Sequence, residues 1–262
     1  MRAETVTVPP PPRLPVPRLL QRRIRRAVAD FRMIQPGDRI LLGLSGGKDS
    51  LTLLHLLRNM QRQSSVSFAL GVATVDPMSP DYDPQPLTPY LRAFGIPYFL
   101  ERQNIYERAQ KHLLRPSYCS FCARMRRGVL YRCARREGYT VLALGQHLDD
   151  FAESFFMSMF YNGELRTMKA HYRVREGDLR VIRPLVYCRE RQTRQYATEQ
   201  HLPVIPENCP ACFGKPTERQ HMKELLAAQE GYDPRLFKQL QRALTPLMGQ
   251  GLEGLDVGEE HD

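Results

Sequence analysis

The chain has 262 residues, 42% of them apolar, with 38 basic against 28 acidic side chains and a net charge of +10. That length supports one large domain, or a domain with a small appendage, around a core of ordinary size. No run reaches the about 20 apolar residues that cross a bilayer, no secretory segment opens the sequence, and the arginine-rich balance favours a polyanionic partner such as nucleic acid, so a soluble protein of the cytoplasm is expected.

In chain order, residues 1–17 are rich in proline and read as a disordered arm. Residues 18–34 place Leu20, Ile24, Val28 and Phe31 at helical spacing, with Arg22, Arg23, Arg25 and Arg26 filling the other face. A short apolar run at 39–44 has the look of a strand buried on both faces. A helix is expected over 51–62, a strand over 68–75, a helix over 84–94, a strand over 97–100, a helix over 125–137, a strand over 141–145 and a helix over 149–161. This alternation predicts an α/β fold with a parallel sheet and helices on both faces, in which ligands bind beyond the carboxyl ends of the strands. From about residue 162 the pattern changes. A hairpin over 172–182 turns at Glu176-Gly177-Asp178, helices follow at 189–200, 217–229 and 234–244, and the acidic, glycine-rich end frays. The organisation expected is a main domain over 18–230 and, over 231–262, a helix with a flexible tail.

The first strand runs into Ser45-Gly46-Gly47-Lys48-Asp49-Ser50, and a helix follows. Glycines permit positive φ and close backbone approach. The N–H groups at a helix start, with the helix dipole, favour an anion. Ser45 and Ser50 add hydroxyls and Lys48 a point charge, while Asp49 suits either a magnesium ion or a helix cap. The spacing fits neither the Walker A loop nor the dinucleotide fingerprint. After the fourth strand comes Gly145-Gln146-His147-Leu148-Asp149-Asp150. Carboxylates there are hard oxygen donors of the kind Mg²⁺ uses beside phosphates, or acidic residues at a helix N-terminus. Asp76, at the end of the second strand, is a further candidate for a nucleotide pocket.

Six cysteines are present, four of them in two C-x-x-C pairs: Cys119 with Cys122, and Cys209 with Cys212. Together such pairs hold Zn²⁺ in a tetrahedral sulfur site or an iron–sulfur cluster, and spacing alone leaves both open, along with two unrelated pairs of buried thiols. Cys133 and Cys188 are expected to pack. Arg124, Arg126, Arg127, Arg132, Arg135 and Arg136 crowd the segment beside Cys122 and read as an RNA-binding rim.

The SGGKDS string resembles the PP-loop of the N-type ATP pyrophosphatases. Gly145–Asp150 resembles a signature of the tRNA 2-thiocytidine synthetase and tRNA lysidine synthetase branches, with Gln146 in place of a first histidine and Ser154 in place of a threonine. The segments around Cys119–Tyr131, Val181–Glu190 and Ile205–Pro216 are similar to the tRNA 2-thiocytidine synthetase family, over roughly residues 18–230. The resemblance implies a PP-loop, Rossmann-type domain that binds ATP through Ser45, Gly46, Gly47, Lys48, Asp49, Ser50, Asp76 and Gly145. Lys48, Asp49 and Asp150 then carry catalysis, and Asp150 holds Mg²⁺. It implies a [4Fe-4S] cluster on Cys119, Cys122 and Cys212, with Cys209 either ligating as well or staying free. A tRNA substrate contacting Arg124, Arg126 and Arg127 is implied too, together with ATP-dependent thiolation at cytidine C2 and a sulfur donor such as a cysteine desulfurase. The alternatives are a PP-loop enzyme with another target or nucleophile and a structural zinc site, or a non-catalytic RNA- or cluster-binding protein. A homodimer is compatible with the sequence, which does not set the oligomeric state.

Overall fold

A computed structural model describes residues 14–64, 66–112, 118–205 and 217–249. The expected arm over 1–17 lies outside them up to residue 13, as does the acidic tail from residue 250.

The chain enters through α1 (Arg18–Asp30), which buries Leu20, Ile24 and Ala27 along one stripe. It then builds β1 (Arg39–Gly43), α2 (Lys48–Gln63), β2 (Ala69–Asp76), α3 (Leu87–Ala93), β3 (Tyr98–Arg102), α4 (Ile105–His112), α5 (Tyr118–Arg136), β4 (Val141–Ala143) and α6 (Leu148–Met157), the last closing on a π-helical turn over Ser158–Asn162. After β5 (His171–Arg173) and β6 (Arg180–Ile182) come α7 (Glu190–Glu199), α8 (Glu218–Tyr232) and α9 (Leu236–Gly249).

One six-stranded sheet, in the order β3-β2-β1-β4-β6-β5, organises the molecule. All its pairings are parallel except that of β5 with β6. The side-chain period of two sorts each strand between two cores. Ile40 and Leu42 of β1 join one cluster, with Leu51, Leu54 and Leu57 of α2. Leu41 joins the other, with Val129, Leu130 and Cys133 of α5. A continuous apolar strand is thus read correctly as buried on both faces.

The expected hairpin forms as the antiparallel pair β5 and β6, and β6 also pairs in parallel with β4, which joins the hairpin to the main sheet. Arg180 in β6 is buried against Asp38, just before β1, and a charged residue inside a strand obscures its burial. Helix α4 was not expected. α5 starts at Tyr118 rather than at 125, so Cys119 and Cys122 lie in the helix and not ahead of it. The C-terminal helix α9 packs Phe237, Leu244 and Met248 into the α2-side cluster.

The sheet order reverses between β1 and β4, since the chain moves outward from β1 to β2 and β3 and returns to β4 on the other side. Loops leaving the carboxyl ends of β1 and β4 diverge there and leave a crevice.

Candidate active site

The loop leaving β1 turns at Gly46, with φ +86°, a conformation open to glycine. A Cβ there would lie 2.8 Å from Cδ1 of Ile205, whose own N–H donates to the Gly46 carbonyl at 2.9 Å. Gly47 then takes an extended conformation as the N-cap of α2, with no side-chain cap. The first N–H groups of that helix therefore remain available to an anion. The Ser45 hydroxyl accepts from Gly47 N–H at 3.2 Å and lies 3.3 Å from that of Ser50. Ser50 also donates to the Gly47 carbonyl. The two serines shape the loop from within. Gly145, leaving β4, lets the two loops meet, since a Cβ on it would lie 3.2 Å from Ser50 N.

Beyond these loops is a cavity of about 250 Å³. Lys48 and Asp49 line it from α2, His147, Asp150 and Glu153 from α6, Glu190 from α7, and Arg219 and Lys223 from α8. Lys48 Nζ is 2.9 Å from Asp49 and 3.0 Å from Glu190. Burial opposes its charge, but Asp49 and Glu190 outweigh that and raise its pKa. Burial likewise works against the Glu190 carboxylate, yet Lys223 and Lys48 hold it well below the usual range. The His147 ring sits between carboxylates, Nδ1 3.2 Å from Asp150 and Nε2 3.8 Å from Asp49. Its backbone N–H donates to Asp150 at 2.9 Å, closing a capping box that fixes the start of α6. Burial, then repulsion from Asp150, pushes Glu153 up to about 7.

The two aspartates of the second motif part company. Asp150 faces the cavity. Asp149 is buried and structural, accepting from Arg189 Nε at 3.0 Å and from Glu190 N–H at 2.8 Å. Gln146 also turns away from chemistry and accepts from buried Arg183 at 3.2 Å. Asp76 does not line the cavity: its Oδ1 accepts from Met78 N–H at the end of β2.

Cys119 and Cys122 are one turn apart on α5, and Cys122 is half-buried. Cys209 and Cys212 lie outside the described residues. Burial pushes the thiols of Cys133 and Cys188 up to about 12, which suits packing rather than reaction. Among the described residues no group of three or more His, Cys, Asp or Glu is set to hold a metal. Asp49 and Asp150 both line the cavity and present hard oxygen donors to it. Arg124 is exposed, and Arg126 and Arg127 are half-buried. Arg126 lies over the Tyr82 ring at 5.9 Å, and the Tyr82 hydroxyl donates to the Ser45 carbonyl at 2.8 Å, linking the start of α5 to the glycine loop. Further along α5, Arg132 bonds Gln103, Arg135 pairs with Asp178 and Glu176, and Arg136 pairs with Glu101 and Glu137.

Sequence reasoning missed Glu190, Arg219 and Lys223. Each lies on a helix, and no local pattern reports their approach to this cavity.

A glycine cradle at the switch point of a parallel sheet defines a PP-loop nucleotide domain, and the PP-loop domain family matches residues 18–208. Two curated relatives are named tRNA-cytidine(32) 2-sulfurtransferase. One, from Geobacter sulfurreducens, is 41% identical over 91% of this chain and 93% of its own length. Another, from Photorhabdus laumondii, is 40% identical over 91% of this chain and 79% of its own. The chain belongs to the tRNA-cytidine(32) 2-sulfurtransferase family, a family of transferases. In fold it is similar to the U34-tRNA thiolase NcsA from Methanococcus maripaludis, solved with its [4Fe-4S] cluster, at TM-score 0.71 and 22% identity over 88% of this chain and 78% of that one. Among the described residues no helix is long and apolar enough to cross a membrane.

Proposed function

We propose that the protein is an ATP-dependent tRNA sulfurtransferase that replaces O2 of a cytidine with sulfur. The observation that carries this reading is that Lys48 and Asp49, at the end of the Ser45–Ser50 loop, line one polar cavity together with Asp150. The α2 N-terminus and Lys48 bind the β- and γ-phosphates of ATP and withdraw charge as the α–β bond breaks. The cytidine O2 attacks the α-phosphorus, and pyrophosphate leaves. Attack of a hydrosulfide-level nucleophile at C2 then expels AMP, which carries away the former O2, and a proton is released. A sulfur donor such as a cysteine desulfurase supplies that sulfur as a persulfide, and a thiol reductant cleaves its S–S bond, releasing hydrosulfide and leaving a disulfide.

Asp49 and Asp150, both lining the cavity, would hold Mg²⁺ as hard donors, and the ion would neutralise phosphate charge when bound. The thiolate set Cys119, Cys122 and Cys212, with Cys209 as a further candidate, suits a [4Fe-4S] cluster, and the one-turn spacing of the first two on α5 supports it. When bound, the cluster supplies an open iron with affinity for sulfur. His147 holds Asp150 in place, while Arg126 and Tyr82 tie the cysteine-bearing helix to the loop that grips ATP. Arg124, Arg126 and Arg127 are the proposed contacts for tRNA phosphates.

The test is to incubate protein purified without oxygen with ATP, Mg²⁺, a sulfide source and tRNA. Pyrophosphate, AMP and 2-thiocytidine are expected, all lost in Lys48→Ala. An unmodified tRNA pool, or pyrophosphate release persisting in the variant, would overturn the assignment. About four irons and four sulfides per chain are expected on metal analysis, whereas one zinc without sulfide would remove the cluster from the scheme.

A further inference from the structure

The PP-loop supplies one lysine to the cavity, and α8 supplies two more cations opposite it. Arg219 and Lys223 are four residues apart and so share a helix face. Lys223 Nζ is 2.7 Å from Oε2 of Glu190, while Lys48 Nζ is 3.0 Å from Oε1 of the same carboxylate. One carboxylate therefore bridges a loop lysine and a helix lysine through its two oxygens, a span that a phosphoryl group can also bridge. Arg219 sits beside them, 3.3 Å from Asp150 and 3.7 Å from Glu153. α8 lies beyond residue 208, where the PP-loop domain match ends. This wall of the cavity is therefore contributed by a helix C-terminal to the nucleotide domain.

We infer that Arg219 and Lys223 form a second wall of the pyrophosphate site and grip the leaving group as it separates from AMP; this rests on the proposed function and deepens it. The Arg219 and Lys223 side chains are 50% and 43% exposed, against 24% for Lys48. Ion pairs this exposed are weak and exchange partners cheaply. Asp49 and Asp150 would be the residues to hold Mg²⁺, and a phosphate entering the cavity would meet Lys48 and Arg219, the cations now paired with those carboxylates. A purely structural staple between α6 and α8 would account for Arg219 with Asp150. It would not account for three cations from two separate elements converging on one cavity.

The probe is inorganic pyrophosphate with Mg²⁺, titrated calorimetrically into the full chain without tRNA, with AMP titrated in parallel. Arg219→Gln and Lys223→Gln should each weaken pyrophosphate binding by about tenfold or more and leave AMP binding within about twofold, and Arg219→Lys should recover most of the loss. Absence of pyrophosphate binding by the wild type, unchanged affinity in the variants, or equal weakening of both ligands would overturn the inference. Lys223→Gln alters an exposed face and keeps the test sound if an Arg219 variant folds poorly. The two readings fail separately. A wild type that thiolates no tRNA sinks the proposed function, whereas thiolation with pyrophosphate affinity unmoved by the variants sinks only the second wall.

Discussion

Lys48 and Asp49 hold each other 2.9 Å apart at the start of α2, and either substitution alters both the cradle and its charge. Lys48→Ala should lower the rate of pyrophosphate release by about 100-fold or more, the size seen when a charge-stabilising donor is removed, with little change in melting temperature because the side chain is only half-buried. Single-turnover release of labelled pyrophosphate reads this directly. Gly46 is tighter. An alanine there takes a left-handed φ and meets Ile205 at 2.8 Å, so Gly46→Ala should cost about 1–3 kcal/mol of stability in urea titration and displace the loop as well. Glu153 provides a pH signature. Burial raises its folded pKa from the ordinary 4.5 to about 7, so the folded state binds its proton more tightly than the unfolded state. The stability tied to that proton is fully present below about pH 4.5 and is lost as pH rises through about 7. Glu153→Gln should therefore flatten the fall in unfolding free energy between about pH 5 and pH 8, by at most about 3 kcal/mol. An unchanged slope would mean that Glu153 does not titrate there.

The helices around the cavity are joined by one side chain. Arg189 donates to Asp149 of α6 at 3.0 Å and to Glu230 of α8 at 2.6 and 2.7 Å, and its guanidinium lies 3.2 Å from the centre of the Phe237 ring of α9. Lysine cannot make the paired bonds or stack as a plane. Arg189→Lys should cost about 2–4 kcal/mol, since it leaves a buried carboxylate under-paired, and thermal unfolding of the variant measures it. None of this was legible from the sequence. The strand–loop–helix order, the glycine loop and the Asp150 motif were, because each is local: an apolar run, a conformational need for glycine, a cap. The double burial of β1 was legible for the same reason. The pairing of β6 with β4 was not, because Arg180 interrupts the apolar pattern and its partner Asp38 is remote in sequence. Likewise α7 and α8 were legible as helices but not as cavity walls. Amphipathic spacing says which face is apolar, not which distant anion or cation the polar face will meet.

Charge on the scale of the whole molecule makes the last prediction. A net +10 predicts tRNA affinity that falls steeply with salt, because each neutralised phosphate releases counterions. The arginines of α5 should not contribute equally. Arg124 and Arg127 lie in the first turns, beside Cys122 and next to Arg126, which reaches the PP-loop through Tyr82. Arg135 lies eleven residues beyond Arg124, about 16 Å further along the helix at 1.5 Å per residue, and so away from Cys122 and the PP-loop. Reversing charge at Arg124 and Arg127 should weaken tRNA binding and reduce the slope of log affinity against log salt by about 1–2. Reversal at Arg135 and Arg136 should leave the slope nearly unchanged and instead lower the melting temperature modestly, as expected for exposed pairs. Filter binding across a salt series, with a melting curve for each variant, separates the two ends of the helix. Equal slopes for both double variants would mean that tRNA follows the whole length of α5, and that the ion pairs to Asp178 and Glu101 open to admit it.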